Sequence, residues 1–256
     1  MANSNSWEKI FEDNKILEHD FSKAPFAISA QQIKTACQDF TETAQKEVRI
    51  LCKQDTRESR PKVFRENDLF LLPVKNGFYN IIKGEGYIDI PEIKEATTIY
   101  SSKLDFDLDS SKIGDSEMQH LDFAYASSLI RTFMEDDSLV LTIRGRKYTP
   151  DFDFHVNGQQ IKVSSVQTEV DGGYEGKDQI VLIEAKSSKI KNTIIRQLYY
   201  PFRQWQDCTK KKVVTLFFEK DHANDNYSIW EFEFTDVKDY NSIKLVKSGK
   251  FKIQTN

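Results

Sequence analysis

The chain has 256 residues, of which 39% are hydrophobic and 30% charged, a composition typical of a globular protein with one large or two small domains. Its apolar runs are far shorter than the ~20 residues that a membrane span requires. The N-terminus lacks the pattern of a secretory signal, and three scattered cysteines without CxxC spacing argue against a disulfide framework or a zinc site. We therefore expect a cytoplasmic protein with no membrane partner.

The formal net charge of −4 is unevenly distributed along the chain. Residues 140–212 carry 13 Lys and Arg against 8 Asp and Glu, a balance of +5, which leaves −9 for the remainder. A basic segment inside an acidic chain suits a surface that binds a polyanion, and it equally suits solvated charges that fall unevenly.

The N-terminal part is predicted to combine short helices with strands. Residues 7–18 have apolar side chains at helical spacing, and Ser29 can cap a second helix that extends to about Gln45. The two helices form either a helix-turn-helix or a helical packing element. Between Val48 and Pro91, short β-like runs separated by glycine-containing turns predict strands. Residues 55–65 carry four cations, which either contact a phosphate backbone or belong to a solvated loop.

The C-terminal part is predicted to alternate helices with strands. Residues 114–135 have the spacing of one long helix, which Asp115 or Ser116 can cap. A run of β-like segments follows, and residues 191–208 then predict a helix that is interrupted or kinked at Pro201. A helix, antiparallel strands, a further helix and later strands predict an α/β core with a mixed sheet.

Charged residues interrupt two of the predicted strands. Glu184 and Lys186 lie two residues apart at the end of the apolar strand IVLIEAK, so they share one face of the sheet. Asp151 and Asp153 share a face after Pro150, and we expect Asp151 to lie on the strand next to Glu184. Such groups are costly to bury unless they pair or bind something, and a divalent cation relieves the repulsion between two carboxylates.

These residue types suit phosphodiester hydrolysis. Mg²⁺ between two carboxylates would lower the pKa of a water and neutralise charge on a phosphate, while Lys186 orients the water or stabilises developing charge. Asp151 is the candidate ligand. Asp153 is a second ligand, an outer partner or a solvated strand residue.

The order Pro150-Asp151 and then Glu184-Ala185-Lys186 resembles the motif of the PD-(D/E)XK nuclease superfamily. The helix that begins near Asp115 is similar to the acidic helix that precedes this motif, and RQLYYPFRQW is similar to the helix that follows it in a group of bacterial type II restriction endonucleases. The resemblance covers residues ~114–220.

The resemblance implies a restriction-endonuclease-like core, a mixed central β-sheet flanked by helices, in residues 111–256. Residues 1–110 then form an N-terminal α+β region, which is a candidate for DNA recognition.

The resemblance also implies roles for single residues. Asp151 and Glu184 are expected to bind Mg²⁺, and Lys186 is expected to be the catalytic lysine. Glu117 is similar to an additional acid that contacts metal or water in some members, and it also suits a helix N-terminus without any such role. Gln197 is similar to a glutamine that lies beside the site in several relatives.

Cations on both sides of the motif are expected to contact DNA phosphates, which supply most non-specific affinity for DNA. They are Arg144, Arg146, Lys147, Lys189, Lys191, Arg196 and Arg203. Each of them alone would equally suit a solvated surface charge.

Three functional interpretations follow from the sequence. The first is a Mg²⁺-dependent type II restriction endonuclease that cuts double-stranded DNA at a specific short sequence, as a homodimer by the resemblance. The second is a PD-(D/E)XK nuclease of repair, recombination or defence that recognises DNA structure or ends. The third is a DNA-binding module without catalytic activity, which the intact Asp, Glu and Lys disfavour.

Overall fold

The structure is a computed structural model that describes residues 3–255. The helices are α1 (Ser4–Asp13), α2 (Ala30–Ala36), α3 (Thr43–Lys46), α4 (Val48–Leu51), α5 (Lys62–Glu66), α6 (Glu117–Ala126), α7 (Leu129–Met134) and α8 (Arg196–Gln206). The strands are β1 (Phe26–Ser29), β2 (Leu69–Lys75), β3 (Phe78–Lys83), β4 (Tyr87–Asp89), β5 (Thr98–Ser101), β6 (Val140–Tyr148), β7 (Phe152–Val156), β8 (Gln159–Val163), β9 (Gln167–Glu175), β10 (Gln179–Lys186), β11 (Asn192–Ile194), β12 (Lys212–Asp221), β13 (Asn226–Phe234) and β14 (Ile243–Gln254). Among the described residues, no helix is long and apolar enough to cross a membrane.

A mixed seven-stranded sheet, ordered β5-β14-β13-β12-β10-β9-β6, organises the structure. Its central strand β10 pairs in parallel with β12 and antiparallel with β9. Because successive side chains of a strand point to opposite faces, Leu182 packs into the cluster that contains α8, whereas Ile183 packs into the cluster that contains α6 and α7. The predicted α/β class, with a mixed sheet flanked by helices, is confirmed.

A third hydrophobic cluster belongs to the N-terminal part of the chain. Trp7, Ile10 and Phe11, which belong to the helical pattern predicted for residues 7–18, form a stripe that is buried there. The Trp7 indole donates a hydrogen bond to the Leu51 carbonyl at 3.0 Å. Leu17 is 56% exposed and lies outside this stripe, because α1 ends at Asp13 and a 3₁₀ turn follows.

The N-terminal strands form a separate antiparallel sheet, ordered β1-β3-β2. Asn76-Gly77, one of the predicted glycine-containing turns, joins β2 to β3, and Gly77 adopts the positive φ of 77° that such a turn requires. Ser29 caps α2 as predicted, through a capping box with Gln32. The strand β1 lies between α1 and α2, so these helices do not form a helix-turn-helix.

Two secondary-structure predictions for the N-terminal part are wrong. The helix that Ser29 caps ends at Ala36 and does not extend to Gln45. Residues 48–51 form the helix α4 where a strand was predicted, because Val48 and Leu51, three residues apart, are buried on one helical face.

The predicted helix over residues 114–135 is divided into α6 and α7. Ser128 adopts a left-handed φ of 66° at the division. Ser116 caps α6 as predicted, since its hydroxyl accepts a hydrogen bond from the Gln119 N–H at 3.2 Å. The later helix α8 continues through Pro201 to Gln206.

Strand pairing connects the N-terminal half of the chain to the large sheet. Residues 98–101, which the sequence assigns to the N-terminal region, form β5 and pair in parallel with β14 at the edge of the sheet. The strand β4 pairs antiparallel with β11, which directly precedes α8.

Truncation of a buried side chain in the core of the large sheet should destabilise the protein. Leu216 of β12 is 0% exposed, so Leu216→Ala removes apolar contacts and leaves a cavity. We expect a loss of about 2–5 kcal/mol in the free energy of unfolding, measured by urea denaturation. Leu17→Ala, a chemically identical change at an exposed site, is the control, and an equal loss there would contradict the packing described here.

Candidate active site

The central feature of the site is a pair of acids on neighbouring strands. The last paired residues of β10 and β9 are Ile183 and Gly172, and the next step of this antiparallel register sets Glu184 opposite Asp171. Both side chains therefore lie on the face of the sheet that α8 covers. The Ala185 N–H donates a hydrogen bond to Asp171 Oδ2 at 2.8 Å, which holds the Asp171 carboxylate at the end of β10.

Two donors hold the Glu184 carboxylate. Lys186 Nζ and Gln197 Nε2 both donate to Glu184 Oε1, the latter at 2.6 Å. The Thr193 hydroxyl donates to Gln197 Oε1 at 2.7 Å, which leaves the amide nitrogen of Gln197 facing Glu184. The Glu184 and Lys186 side chains are 11% and 18% exposed, so the pair is largely shielded from solvent.

Glu117 reaches the same place from the other face of the sheet. It is the first residue of α6, where a carboxylate is favoured by the helix dipole. Its Oε1 accepts a hydrogen bond from the N–H of Ser187, one residue beyond β10, at 3.3 Å. The charge of Glu117 acts on both Lys186 and Asp171.

The electrostatics of this cluster favour the uptake of positive charge. Burial, together with the neighbouring charge of Asp171, raises the pKa of Glu184 to about 7 against the opposing effect of Lys186. Burial likewise raises the pKa of Asp171. Burial alone would lower the pKa of Lys186, but Glu184, Glu117 and Asp171 raise it above its ordinary value. The three acids therefore outweigh the single ammonium group.

This cluster lies at the base of a cleft of about 810 Å³ between the large sheet and the N-terminal part of the chain. The cleft floor comprises Glu117, Glu169, Asp171, Glu184, Lys186 and Gln197. The N-terminal wall comprises Arg49, Lys53 and Asp55, together with Lys75, Asn76 and Gly77 of the β2–β3 hairpin.

Asp151 is not on a strand next to Glu184, and that prediction is wrong. It precedes β7, which pairs with β8 outside the large sheet. Asp151 is exposed, does not line the cleft, and accepts a hydrogen bond from the Ser164 hydroxyl at 2.5 Å. Asp153 accepts a long hydrogen bond from the Gln160 amide at 3.4 Å.

The sequence contains a signal for Asp171. The turn at residues 176–178, Gly-Lys-Asp, joins β9 directly to β10. The structure pairs residue 175 with residue 180 in this hairpin, and the continuation of that register sets residue 171 opposite residue 184. The sequence prediction overlooked this hairpin because it treated residues 161–170 as one β-like run.

The predicted DNA contacts differ in their surroundings. Arg196 lines the cleft, and its guanidinium lies 3.9 Å from the Asp55 carboxylate. Arg203 is only 5% exposed and donates hydrogen bonds to the carbonyls of Asp153 and Val237. Its predicted phosphate contact is therefore wrong, because the guanidinium is committed to the interior.

The remaining predicted contacts lie outside the cleft. Arg144 pairs with Asp122, Arg146 pairs with Glu169, Lys147 lies over the Trp205 ring, Lys189 pairs with Glu92, and Lys191 is exposed. The phosphate contacts expected of these five residues therefore stay predictions.

Asp171 and Glu184 are the groups that could ligate a hard divalent cation. Within residues 3–255, no three His, Cys, Asp or Glu side chains are already gathered as a metal-binding group. Mg²⁺ nevertheless requires only one or two carboxylates, since water and substrate phosphates complete its coordination. Two partly buried carboxylates, whose pKa values burial raises, fit such an ion because it would supply compensating positive charge.

Comparisons with known proteins give two family matches. Residues 4–81 match the family described as Domain of unknown function (DUF6996). Neither the curated proteins nor the solved structures include a match. Residues 82–252, which are more than half of the chain, match the family described as Domain of unknown function (DUF6997), and the chain therefore belongs to the DUF6997 family.

Proposed function

We propose that this protein is a Mg²⁺-dependent nuclease of the PD-(D/E)XK type that hydrolyses phosphodiester bonds of DNA. One observation carries the proposal: Asp171, Glu184 and Lys186 meet on the cleft floor, where the pairing between β9 and β10 ends. Helices on both faces of a mixed sheet support the restriction-endonuclease-like core that this function implies.

The proposed metal ligands are Asp171 and Glu184, so Asp171 takes the role first expected of Asp151. Val170 precedes Asp171, and the proline of the superfamily motif is thus absent at this position. Glu184-Ala185-Lys186 retains the second part of the motif. The chemistry depends on the carboxylate rather than on the preceding residue, because only the carboxylate can bind the cation.

The other residues on the cleft floor have distinct parts in this proposal. A divalent cation would supply the positive charge that neutralises a phosphate and acidifies water. Lys186, a compact cation with three donor hydrogens, donates to a phosphate oxygen or orients the attacking water. Gln197 positions Glu184 through its hydrogen bond to Oε1. Glu117 adds negative charge at the end of β10 and holds the Ser187 N–H.

Two forms of this function differ in how DNA is recognised. The first is a type II restriction endonuclease of the cytoplasm that cuts double-stranded DNA at a short sequence, as a homodimer that brings one site to each strand. The second recognises DNA structure or ends. Both forms use the same cleft of about 810 Å³ and differ only in the contacts that select the DNA.

Substitution of Asp171 and substitution of Asp151 should affect cation binding differently. Asp171→Asn removes one of two carboxylate ligands, so Mn²⁺ affinity, measured by isothermal titration calorimetry, should fall at least ~10-fold, a loss that even outer partners of metal ligands produce. Asp151→Asn is the matched control and should bind Mn²⁺ like the wild type. A reversed result would assign the ligand to Asp151.

Lys186→Ala tests the catalytic assignment. Removal of a charge-stabilising donor should lower the rate of plasmid cleavage by about 10²–10³-fold, with DNA binding by gel shift largely retained. Lys244→Ala, at an exposed position of β14, is the control. Cleavage by Lys186→Ala at the wild-type rate would refute the assignment, and a wild-type protein that never cuts with Mg²⁺ would support a DNA-binding module without activity.

The form of recognition can be tested with a plasmid of known sequence. Discrete fragments at fixed positions are expected of the type II enzyme, because base contacts select its sites. Cutting that begins only at ends, nicks or single-stranded gaps is expected of the second form. Linear and gapped derivatives of one plasmid give the comparison on gels.

A further inference from the structure

The two sides of the cleft carry opposite charge. Acids dominate the side of the cleft formed by the large sheet and its helices, where Glu117, Glu169, Asp171 and Glu184 outnumber Lys186 and Arg196. Cations dominate the N-terminal wall, where Arg49, Lys53 and Lys75 outnumber one carboxylate. An acidic floor alone would repel a polyanionic substrate, so the opposite wall is the side of the cleft that can attract one.

Arg49 is held in place by the packing of its helix. Its neighbours Val48 and Leu51 are buried in the N-terminal core, and the Leu51 carbonyl accepts the hydrogen bond of the Trp7 indole at 3.0 Å. Arg49 itself is exposed and lines the cleft. The helix therefore presents a cation to the cleft from a fixed position.

Lys75 approaches the cleft from a different element, the end of β2. The Ser164 N–H donates to the Val74 carbonyl at 2.9 Å, and Lys75 pairs with Ser164 in an isolated bridge. These contacts tie the β2–β3 hairpin to the segment between β8 and β9. The Lys75 side chain is exposed and lines the cleft beside Asn76 and Gly77.

The cations that line the cleft differ in whether a protein carboxylate already neutralises them. Lys53 and Arg196 both lie within 4.0 Å of Asp55, at 3.7 and 3.9 Å. Across residues 3–255, neither Arg49 nor Lys75 forms an ion pair with a carboxylate. Two cations that lie on packed backbone segments and face a cleft without ion-pair partners are suited to anionic groups of a bound molecule.

We propose that the N-terminal wall binds the phosphodiester backbone of the strand that lies against the cleft floor, with Arg49 and Lys75 each contacting a phosphate. Because the two cations come from separate elements along the cleft, they suit a ligand with repeated anionic groups. The inference rests on the proposed nuclease function, which supplies the reason for a strand to lie there. A single strand and one strand of a duplex present the same chemistry.

The test is the affinity of the double variant Arg49→Gln/Lys75→Gln for labelled oligonucleotides, measured by fluorescence anisotropy in EDTA at several salt concentrations. The single strand and the blunt duplex of the same sequence are the two probes. Affinity should fall about tenfold, and the slope of log affinity against log salt should shrink by about 1.4 for the single strand or about 1.8 for the duplex, since each phosphate contact contributes ~0.7 or ~0.9. The probe that shows the change identifies the bound form.

The control is Lys34→Gln/Arg65→Gln, which removes one lysine and one arginine from exposed positions of α2 and α5 outside the cleft. It should change affinity by less than about twofold, because its charges act on DNA only at long range. An equal loss in the control, or unchanged affinity and salt slope of the cleft variant with both probes, would overturn the proposal. All four positions are exposed, so thermal unfolding should match the wild type.

This outcome is separable from that of the proposed catalysis, because binding in EDTA does not depend on cleavage. If Lys186→Ala cuts like the wild type while the wall variant still loses affinity, the catalytic role of Lys186 is refuted and DNA binding by the N-terminal wall is supported. If the wall variant binds DNA normally while Lys186→Ala is inactive, only the proposal that the N-terminal wall binds DNA is refuted.

Discussion

The cost of burying two carboxylates side by side is the constraint on which the site depends. An isolated charged group loses several kcal/mol when it leaves water, unless it pairs or is hydrogen-bonded. Here the Ala185 N–H holds Asp171, while Lys186 and Gln197 hold Glu184. The compensation is incomplete, because the pKa of Glu184 still rises to about 7. A cation bound between Asp171 and Glu184 would compensate the remaining negative charge. The proposed metal ion would therefore also stabilise the arrangement of the cleft floor.

The alternation of β10 explains how groups from both faces of the sheet meet at one point. Leu182 and Glu184 face α8, which contributes Gln197, whereas Ile183 and Ala185 face α6. Glu117 still reaches the cluster because it is the first residue of α6 and lies beside the end of the strand. The site thus forms where a strand ends, since only there can both flanking helices contribute a polar group.

How much could be predicted from the sequence depends on whether a feature is local. Glu184 and Lys186 were identified because an apolar strand and a period of two are encoded within eight residues. Gln197 was placed correctly beside them, since its helix follows the core strand closely in the chain, whereas Glu117 lies far from that strand in the chain and was named from the resemblance. The partner acid depends on which strand pairs with β10, a choice made by long-range packing. Asp151 was chosen on the motif's order, although the short turn at residues 176–178 selects β9.

Other errors have the same origin. The four residues of α4 contain two β-branched side chains, and local propensity favours a strand, but burial of one helical face against the N-terminal core overrides it. Arg203 carries the positive charge expected of a phosphate contact, and only the fold shows that its guanidinium is enclosed. The positions of Arg49 and Lys75 in the cleft could not be predicted either, because the cleft exists only when the N-terminal part is docked on the large sheet.

That docking makes the N-terminal part a component of the site rather than an appended module. The Asp55 carbonyl accepts the Ile194 N–H at 2.8 Å, and the Arg57 N–H donates to the Asn192 side chain at 2.7 Å, so both ends of β11 are held. β11 also contains Thr193, whose hydroxyl orients Gln197 and through it Glu184. The two family matches meet at residues 81 and 82, inside the single strand β3. A shift of the N-terminal wall would therefore move the hydrogen bonds that hold the cleft floor, so under the proposed function substrate binding at the wall would be coupled to the geometry of the acids.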